Sequence, residues 1–319
     1  MQNYVTFFNY KYLIRGLLLY ESLNKNVDNF RLYVIAFDQY TYNYLMNKKF
    51  KKITPIKFKD FEDKELLSVK KTRSSTEYFW TCSGSSILYL FKKKKIKDCT
   101  YLDADTFFFD DPAKIIKSIN KESCIITKHN YSKEYNQSNT NGIFCVQFMY
   151  FKNNAIAKKI LTRWRNQCLE WCYNRVEDGK FGDQKYLDEW PDIYKKHVLI
   201  CEEKGAGLAP WNIQDYELFR KNKKFYAKNI ISKKKFDIYF YHFHELKILN
   251  SNLSYIGNYK IPKIAYDLIY SPYIKRYYDL LSGMKKKNKN LFFDNFGRES
   301  FMINTFKFLK NIKNFKFFL

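Results

Sequence analysis

Apolar runs and helical patterns alternate along the first part of the chain. Residues 4–9 (YVTFFN) and 31–38 (RLYVIAFD) are continuous runs of β-branched and aromatic residues, a pattern typical of buried strands. Between them, residues 12–23 (YLIRGLLLYESL) carry apolar side chains at helical spacing. A strand, a helix and a second strand at these distances predict a parallel α/β sheet.

The same alternation continues toward the middle of the chain. Apolar runs predict strands at 51–58, 99–105, 122–130, 141–153 and 197–202. Amphipathic patterns predict helices at 85–96 and 155–176. We therefore expect one sheet with helices on both faces, which binds its ligand at the carboxyl ends of the strands.

The C-terminal stretch has a different pattern. From Lys275 to Leu319 there are eleven Lys or Arg against three Asp or Glu. A helix through this stretch gathers apolar residues on one face, namely Phe308, Leu309, Ile312, Phe315 and Leu319. We predict a catalytic domain over residues 1–250 and a basic, aromatic-rich helical extension over 251–319. The extension either lies on an anionic membrane or packs on the body of the protein.

Composition limits the class of protein. The chain has 319 residues and 46% apolar content, enough for a sizeable core. No run reaches the roughly 18 apolar, uncharged residues that a membrane span needs, and residues 1–16 lack the order of a signal peptide. We expect a cytoplasmic protein, with peripheral contact to the inner face of the cytoplasmic membrane through the extension. The seven cysteines lack CxxC spacing and are expected to be reduced core thiols.

The net charge of +25 favours acidic partners such as nucleotide phosphates or an anionic lipid surface. Overuse of Lys, Asn, Ile, Tyr and Phe together is typical of an AT-rich genome, which accounts for part of this charge. The lysines are spread along the chain, and no zinc-finger, RNP or helix-turn-helix pattern occurs. We expect no nucleic-acid partner, although a nucleic-acid binder and a non-catalytic membrane-surface protein stay as alternatives.

The sequence YLDADTFFFDDP at 101–112 places Asp103 and Asp105 one residue apart at the end of a strand. Two carboxylates this close repel each other unless a cation lies between them. Mg²⁺ and Mn²⁺ accept carboxylate oxygens, keep positions open for phosphates and stabilise a diphosphate leaving group. The aspartyl-phosphate motif DxDxT is a weaker alternative, because Phe107 stands where that motif has Thr. Asp110 and Asp111, directly before a proline, are expected to cap a helix.

Two histidines follow an apolar run in YHFHELK at 241–247. A neutral imidazole of His242 or His244 could complete the coordination of an ion that two carboxylates hold, although a buried structural pair is the alternative. Trp211, in the small-residue segment GAGLAPWN at 205–212, could stack on a ligand or belong to an ordinary tight loop.

Asp183 and Gln184 begin a predicted helix within KFGDQKYLDEW at 180–190. An Asp at this position caps a helix as readily as it contacts a substrate, so both roles stay open.

In this order, the motifs resemble glycosyltransferase family 8 of the GT-A fold. The likeness rests on the DxD at 103–105 after a strand, the NGIF strand about forty residues later, the DQ pair at 183–184, and the His-containing strand followed by Lys247. Further segments resemble a widespread set of bacterial glycosyltransferases, at 72–90, 99–112, 142–154, 168–190 and 209–212. The resemblance covers roughly residues 4–250.

The resemblance implies a Rossmann-like mixed sheet, a nucleotide-sugar donor with UDP as the expected nucleotide, Mn²⁺ or Mg²⁺, and transfer of a hexose or similar sugar to a hydroxyl. The acceptor would be a glycan or a lipid-linked precursor in cell-surface polysaccharide or lipooligosaccharide synthesis. Carried over by position, Asp103, Asp105 and His242 would bind the metal. The donor would be bound by Thr6, Asn9, Arg73, Asn141, Gly142, Trp211 and Lys247, with Arg73 and Lys247 neutralising its phosphates. Asp183 and Gln184 would face the reacting carbon.

One departure from the family concerns the metal-binding histidine. Family 8 shows HxxGxxK, whereas Lys247 here is one residue closer to His242, and Glu245 replaces the glycine. The metal ligand is therefore open between His242 and His244. An inverting reaction needs a carboxylate base, Asp183 first and Glu245 second. A retaining reaction, which the resemblance favours, leaves Gln184 to support the sugar.

Overall fold

The computed structural model describes residues 1–284, 292–294 and 312–317. Its strands, in chain order, are β1 (Gln2–Phe8), β2 (Phe30–Ala36), β3 (Ile53–Lys57), β4 (Asp98–Leu102), β5 (Thr106–Phe108), β6 (Cys124–Lys128), β7 (Phe144–Lys152), β8 (Val198–Cys201), β9 (Ala206–Leu208), β10 (Tyr216–Lys221), β11 (Lys224–Asn229), β12 (Lys235–Asp237), β13 (Phe240–His242), β14 (Lys247–Ile248), β15 (Leu253–Tyr255) and β16 (Phe315–Phe317).

The helices of the described part are α1 (Leu13–Asn26), α2 (Gln39–Lys48), α3 (Phe58–Phe61), α4 (Lys64–Lys70), α5 (Ser75–Thr81), α6 (Ser83–Lys93), α7 (Ala113–Ile116), α8 (Ser138–Asn141), α9 (Ala155–Glu170), α10 (Trp190–Tyr194), α11 (Lys263–Ala265) and α12 (Ser271–Ser282). Short 3₁₀ turns connect several of them, and a π-helical turn over Tyr266–Tyr270 leads from α11 into α12.

A seven-stranded mixed sheet forms the centre of the molecule, in the order β3-β2-β1-β4-β7-β6-β8. The four strands from β3 to β4 are parallel, and β7 runs antiparallel to both of its neighbours. Successive side chains of a strand point to opposite faces. Accordingly, Tyr4 and Phe8 of β1 join one core while Val5 and Phe7 join the other. The predicted mixed α/β sheet between helices is confirmed.

A second, small sheet positions the region of interest, in the order β5-β13-β9. Strand β5 follows the DxD turn, and β13 pairs with it antiparallel so that His242 lies opposite Thr106. The segment 205–212 was predicted as a tight loop or a ligand-contacting turn, but its residues Ala206–Leu208 form strand β9, which runs parallel to β13. The β5-β13 pairing places the residues near position 240 beside the DxD turn at the end of β4.

Two predicted helices differ in the structure. The helix predicted over 155–176 ends at Glu170, because Trp171 takes an extended conformation and begins a loop. The helix predicted at the C-terminus is wrong for residues 312–317, where a 3₁₀ turn leads into β16. Strand β16 pairs antiparallel with β15, a partner that periodicity along the tail does not reveal. Phe308, Leu309 and Leu319 lie outside the described residues.

Several contacts join the chain after residue 250 to the earlier part. Arg15 of α1 is buried and forms a 2.6 Å salt bridge with Asp294, and it also donates to the carbonyl of Leu246. Helix α12 packs on α1, where Arg276 pairs with Glu21. The division into domains at residue 250 stays a prediction.

All seven cysteines are buried as free thiols. Within the described part of the chain, no helix combines the length and the apolar character needed to cross a bilayer.

Candidate active site

A cavity of about 680 Å³ lies past the carboxyl ends of β1 and β4, where the sheet topology predicts a ligand site. Acidic, imidazole and aromatic side chains line it together, among them Asp103, Asp105, Asp183, His242, Trp80 and Trp211. Most of these side chains come from segments that are far apart in sequence, so the fold assembles the cavity.

A tight turn directs both carboxylates of the DxD toward the cavity. The backbone amide of Asp103 donates to the carbonyl of Gln147 on β7, which holds the end of β4 in the sheet. Thr106 then donates twice to the carbonyl of Asp103, through its backbone amide (3.2 Å) and its hydroxyl (2.8 Å). Because the chain turns between the two aspartates, they reach the same point in space.

The pairing of β5 with β13 brings His242 to the two aspartates. Its Nε2 lies 3.2 Å from Asp105 Oδ1 and 3.8 Å from Asp103 Oδ2. One ligand atom from each of the three residues lies within 4.8 Å of the others, so the group could hold a metal ion. We call Asp103, Asp105 and His242 the triad. His244 also lines the cavity but is not a member of this group.

Gln147 orients the imidazole of His242. Its Oε1 accepts a hydrogen bond of 2.9 Å from His242 Nδ1, which leaves Nε2 facing the aspartates. Gly207 has a φ of +117°, a backbone conformation that favours glycine, and a Cβ there would lie 2.5 Å from Gln147 Nε2. Gln147 is not among the predicted site residues, although a glutamine inside the apolar run FCVQFMYF is a signal.

The charges of the triad are strongly linked. Burial raises the pKa of Asp103 to about 6, with the nearby Asp105 adding to the rise. Burial acts in the same direction on Asp105, but His242 outweighs it and lowers the pKa of Asp105 to about 2. Burial lowers the pKa of His242, yet the two aspartates reverse this and hold it well above its usual range. The pair of carboxylates thus requires positive charge beside it.

A third buried carboxylate, Asp183, lies across the cavity. Its Oδ2 accepts a 2.7 Å hydrogen bond from the hydroxyl of Ser83, and its backbone carbonyl accepts one from Trp164 Nε1. Burial raises the pKa of Asp183 to about 7; the bond from Ser83 lowers it and Asp103 raises it. The following 3₁₀ turn has no side-chain cap, so the alternative of a capping role for Asp183 is wrong.

Gln184 and Asn141 meet at the edge of the cavity. Gln184 Nε2 donates to the carbonyl of Asn141 at 2.7 Å, and both residues line the cavity. Gly142 has a φ of +102° and packs on the backbone of Lys185, so a side chain here would be strained and crowded. Gly142 itself is not among the lining residues.

Trp211 forms a wall beside the triad. Its ring lies edge-on to both His242 and His244 at 5.4 Å, and its Nε1 donates to the carbonyl of His129. His129 also lines the cavity, and burial lowers its pKa to about 3. The ring of His129 stacks on Tyr131 at 4.5 Å. We had predicted only a strand for this segment, and the sequence gives no separate signal for His129.

The remaining predicted donor-binding residues differ in whether they line the cavity. Asn9 lines the cavity, while Thr6 is buried within β1. Arg73 donates to the carbonyls of Leu169 and Glu170 at the end of α9 and is not among the lining residues.

Among the described residues that line the cavity there is one lysine and no arginine. Lys247 belongs to β14 and does not line the cavity. Lys11, which the sequence analysis did not single out, follows β1 and does line it. Lys11 lies two residues after Asn9, a predicted donor-binding residue, and this proximity is the signal that the sequence offers.

Comparison with known proteins agrees with this geometry. Residues 25–190 match the model of the nucleotide-diphospho-sugar transferase family. The chain is 30% identical over 267 residues to the uncharacterized protein YfnD of Bacillus subtilis (strain 168), covering 81% of this chain and 84% of that protein. It is 26% identical over 248 residues to the uncharacterized protein YfnF of the same organism, covering 75% and 80%. The chain belongs to the nucleotide-diphospho-sugar transferase family.

A solved structure supports the same fold. The galactosyltransferase LgtC, crystallised with donor and acceptor sugar analogs, superposes with a TM-score of 0.55 at 11% identity. The match covers 91% of this chain and 99% of LgtC. The predicted GT-A fold and the predicted class of enzyme are confirmed: the protein is a glycosyltransferase. This class takes the place of the nucleic-acid and non-catalytic alternatives.

Proposed function

We propose that the protein is a metal-dependent transferase that moves a hexose or similar sugar from a nucleotide-sugar donor, a UDP-sugar in the first instance, to a hydroxyl of a glycan or lipid-linked acceptor. The observation that carries this proposal is the triad in the cavity, which Asp183 and Gln184 also line. A role in cell-surface polysaccharide or lipooligosaccharide synthesis is part of the proposal.

The donor atoms of the triad fit a divalent cation. Two carboxylates and an imidazole whose Nε2 faces them suit Mn²⁺, which would take the place of the proton that the aspartates hold on this imidazole, and the carboxylates alone would suit Mg²⁺. A cation at this place supplies Lewis-acid stabilisation of the diphosphate leaving group. The low pKa of Asp105 keeps that carboxylate ionised at neutral pH, ready to bind the cation.

The donor phosphates need a second positive charge besides the cation, and Lys11 is the side chain that best fits this role. It is exposed at the rim of the cavity, beside Asn9, and its ammonium group could approach the donor phosphates by rotation of the side chain. Lys247 and Arg73, which the family resemblance nominated for the phosphates, would each need to leave their positions in the fold. We therefore propose Lys11 as the first phosphate contact.

Asp183 and Gln184 are proposed to face the sugar. With a pKa near 7, Asp183 exchanges a proton in the physiological range, which suits a base in an inverting reaction. Glu245 suits this role less well, because its Oε2 already accepts from the backbone and side chain of Asn258. We favour retention, in which Gln184 supports the sugar and a donor phosphate oxygen accepts the proton of the acceptor.

Donor binding provides the first test. Sugar nucleotides with UDP, GDP, CMP and dTDP are screened by thermal shift with and without Mn²⁺, because a bound donor raises the melting temperature by mass action. We expect a shift with one nucleotide class that needs Mn²⁺ and disappears in Asp105→Asn. A shift of equal size in wild type and Asp105→Asn would contradict the proposed site.

The product decides the stereochemistry. Proton NMR of the sugar released to water or transferred to an acceptor gives the anomeric configuration of the first product formed. A product with the configuration of the donor supports retention. An inverted product would assign the base to Asp183 and would be accompanied by loss of activity in Asp183→Asn.

A further inference from the structure

The antiparallel sheet β10-β11-β12 has two unlike faces. Leu218 and Ala227 lie opposite each other on the inner face and are buried in the core, and Phe225 and Phe236 pack against the same core. The outer face carries Phe219 and Tyr226, whose rings stack at 5.4 Å and belong to no core cluster of the described residues. We call the side of the sheet that carries Phe219 and Tyr226 the outer face.

Lysines surround the aromatic pair on the outer face. Lys221 lies directly opposite Lys224 on the neighbouring strand, and Lys228 lies opposite Lys235. Like charges in such cross-strand positions destabilise a sheet. Glu217 offsets only part of this, through a 3.7 Å contact with Lys228. A sheet that carries two such pairs gains from a negatively charged partner.

The same sheet carries exposed apolar side chains at one end. In the turn between β11 and β12, Ile230 is 42% exposed and Ile231 is 90% exposed. The turn is well fixed, because the side chain of Asn229 accepts from the backbone amides of Ile231 and Ser232. Ile231 is therefore held out in water by an ordered turn.

The concentration of charge in this region exceeds that of the whole chain. Residues 215–237 contain eight Lys or Arg and three Asp or Glu, whereas the 319 residues contain 57 and 32. Seven of the eight basic side chains are exposed. The surplus of lysine that composition alone explains is spread along the chain, so it does not account for this cluster.

We propose that the outer face and the turn at Ile231 form a docking surface for an anionic lipid bilayer. Lysines near a bilayer are attracted to anionic headgroups, and exposed apolar and aromatic side chains gain by entering the interfacial region. A soluble polyanion such as RNA would satisfy the lysines but would offer nothing to Ile231. This surface is separate from the C-terminal tail, and its binding is measured without any donor, so it stands apart from the proposed reaction.

Vesicle binding tests the docking surface. Full-length protein is sedimented with phosphatidylcholine vesicles that contain or lack phosphatidylglycerol, at physiological ionic strength. We expect binding only to the anionic vesicles, and a loss of affinity of about tenfold or more in the triple variant Lys221→Gln/Lys224→Gln/Lys235→Gln. Ile231→Ser, which changes no charge, should lose about fivefold.

Matched variants separate a local surface from bulk charge. Lys92→Gln/Lys93→Gln/Lys94→Gln removes the same charge from the exposed end of α6, and Ile193→Ser removes an isoleucine on α10 that is 44% exposed. Both should bind like wild type, and all variants should melt cooperatively. An equal loss in both triple variants would overturn the proposal. So would wild-type binding by Ile231→Ser together with displacement by soluble heparin, which would indicate a polyanion site.

Discussion

The two acidic pairs in YLDADTFFFDDP have the same chemistry and different neighbours. Asp110 pairs with Lys114 one helical turn later, and Asp111 accepts from the backbone amide of Ala113. Lys114 and Ala113 are close in sequence, and Asp111 also accepts at 3.2 Å from the side-chain amide of Gln2 on β1. Asp103 and Asp105 instead face His242, which arrives from a distant strand through the β5-β13 pairing.

The difference shows how a structural pair and a functional pair can be told apart. A carboxylate with a local cationic partner has its charge balanced by the segment it belongs to, as Lys114 does for Asp110. The carboxylates of the triad lie in a cavity with split pKa values, about 6 for Asp103 and about 2 for Asp105. Perturbed groups that share a cavity are candidates for chemistry.

The largest expected difference between the pairs is in catalysis. Asp105→Asn should lower donor turnover by about a thousandfold or more, because it removes a ligand of the cation that stabilises the leaving group. Asp110→Asn is the matched control and should stay within about twofold of wild type. Turnover is measured as released nucleoside diphosphate. Comparable losses in both variants would remove the distinction between the pairs.

The next effect concerns the bond that orients His242. Gln147→Leu keeps the size of the side chain but removes the acceptor of His242 Nδ1, so Mn²⁺ should bind about 10- to 100-fold more weakly. The Mn²⁺ concentration that gives half-maximal turnover reports this change. Gln147→Glu retains an acceptor and should recover part of the affinity. An unchanged Mn²⁺ dependence in Gln147→Leu would show that the imidazole needs no such support.

A smaller effect is expected for the lysines near the two pairs. Lys11→Gln should raise the KM for donor by about tenfold with a lesser change in kcat, because it removes one charge-assisted phosphate contact. Lys114→Gln, beside the second pair, should leave both constants unchanged. If Lys247→Gln raises the KM and Lys11→Gln does not, the phosphate contact belongs to Lys247, as the family resemblance implied.

The last effect concerns stability, with no change expected from the cation, and it tests the third carboxylate. The folded-state pKa of Asp183 is about 7, whereas a carboxyl of the unfolded chain titrates near 4. Between these values the folded protein keeps a proton that the unfolded chain releases, so Asp183 lowers stability as pH rises through this window. Asp183→Asn still accepts from Ser83 and cannot ionise.

Relative to wild type, Asp183→Asn should therefore gain about 4 kcal/mol between pH 4 and pH 8, from a shift of about three pKa units at about 1.4 kcal/mol each. Urea unfolding at both pH values measures the gain, with Asp110→Asn as the control that shows no such gain. A stability difference between Asp183→Asn and wild type that is the same at pH 4 and pH 8 would indicate an ordinary pKa for Asp183.

Much of the fold could be predicted because it follows from local patterns of apolar residues. The buried strands of the central sheet are continuous apolar runs, and α1 has leucines at helical spacing, so periodicity was sufficient. The prediction for the C-terminal segment failed for the opposite reason. Residues Phe315–Phe317 become a strand through pairing with β15, and a pairing over sixty residues leaves no trace in local periodicity.

The site shows the same division. The DxD could be recognised from sequence because its two carboxylates are adjacent, and His242 could be nominated through the family resemblance. Gln147 and Lys11 were missed, since their importance comes from a hydrogen bond across the sheet and from a position at the rim of the cavity. Arg73 was nominated by position, but the fold uses it at the carbonyl end of α9.

Manganese binding tests the central claim about the triad most directly. Water proton relaxation is measured as Mn²⁺ is added to the protein with the nucleoside diphosphate that gives the largest thermal shift. The triad predicts a single saturable site in wild type and in Asp110→Asn, and loss of that site in Asp105→Asn and His242→Ala, each still folded. Saturable binding with wild-type affinity in folded Asp105→Asn would contradict the claim that Asp103, Asp105 and His242 hold the cation.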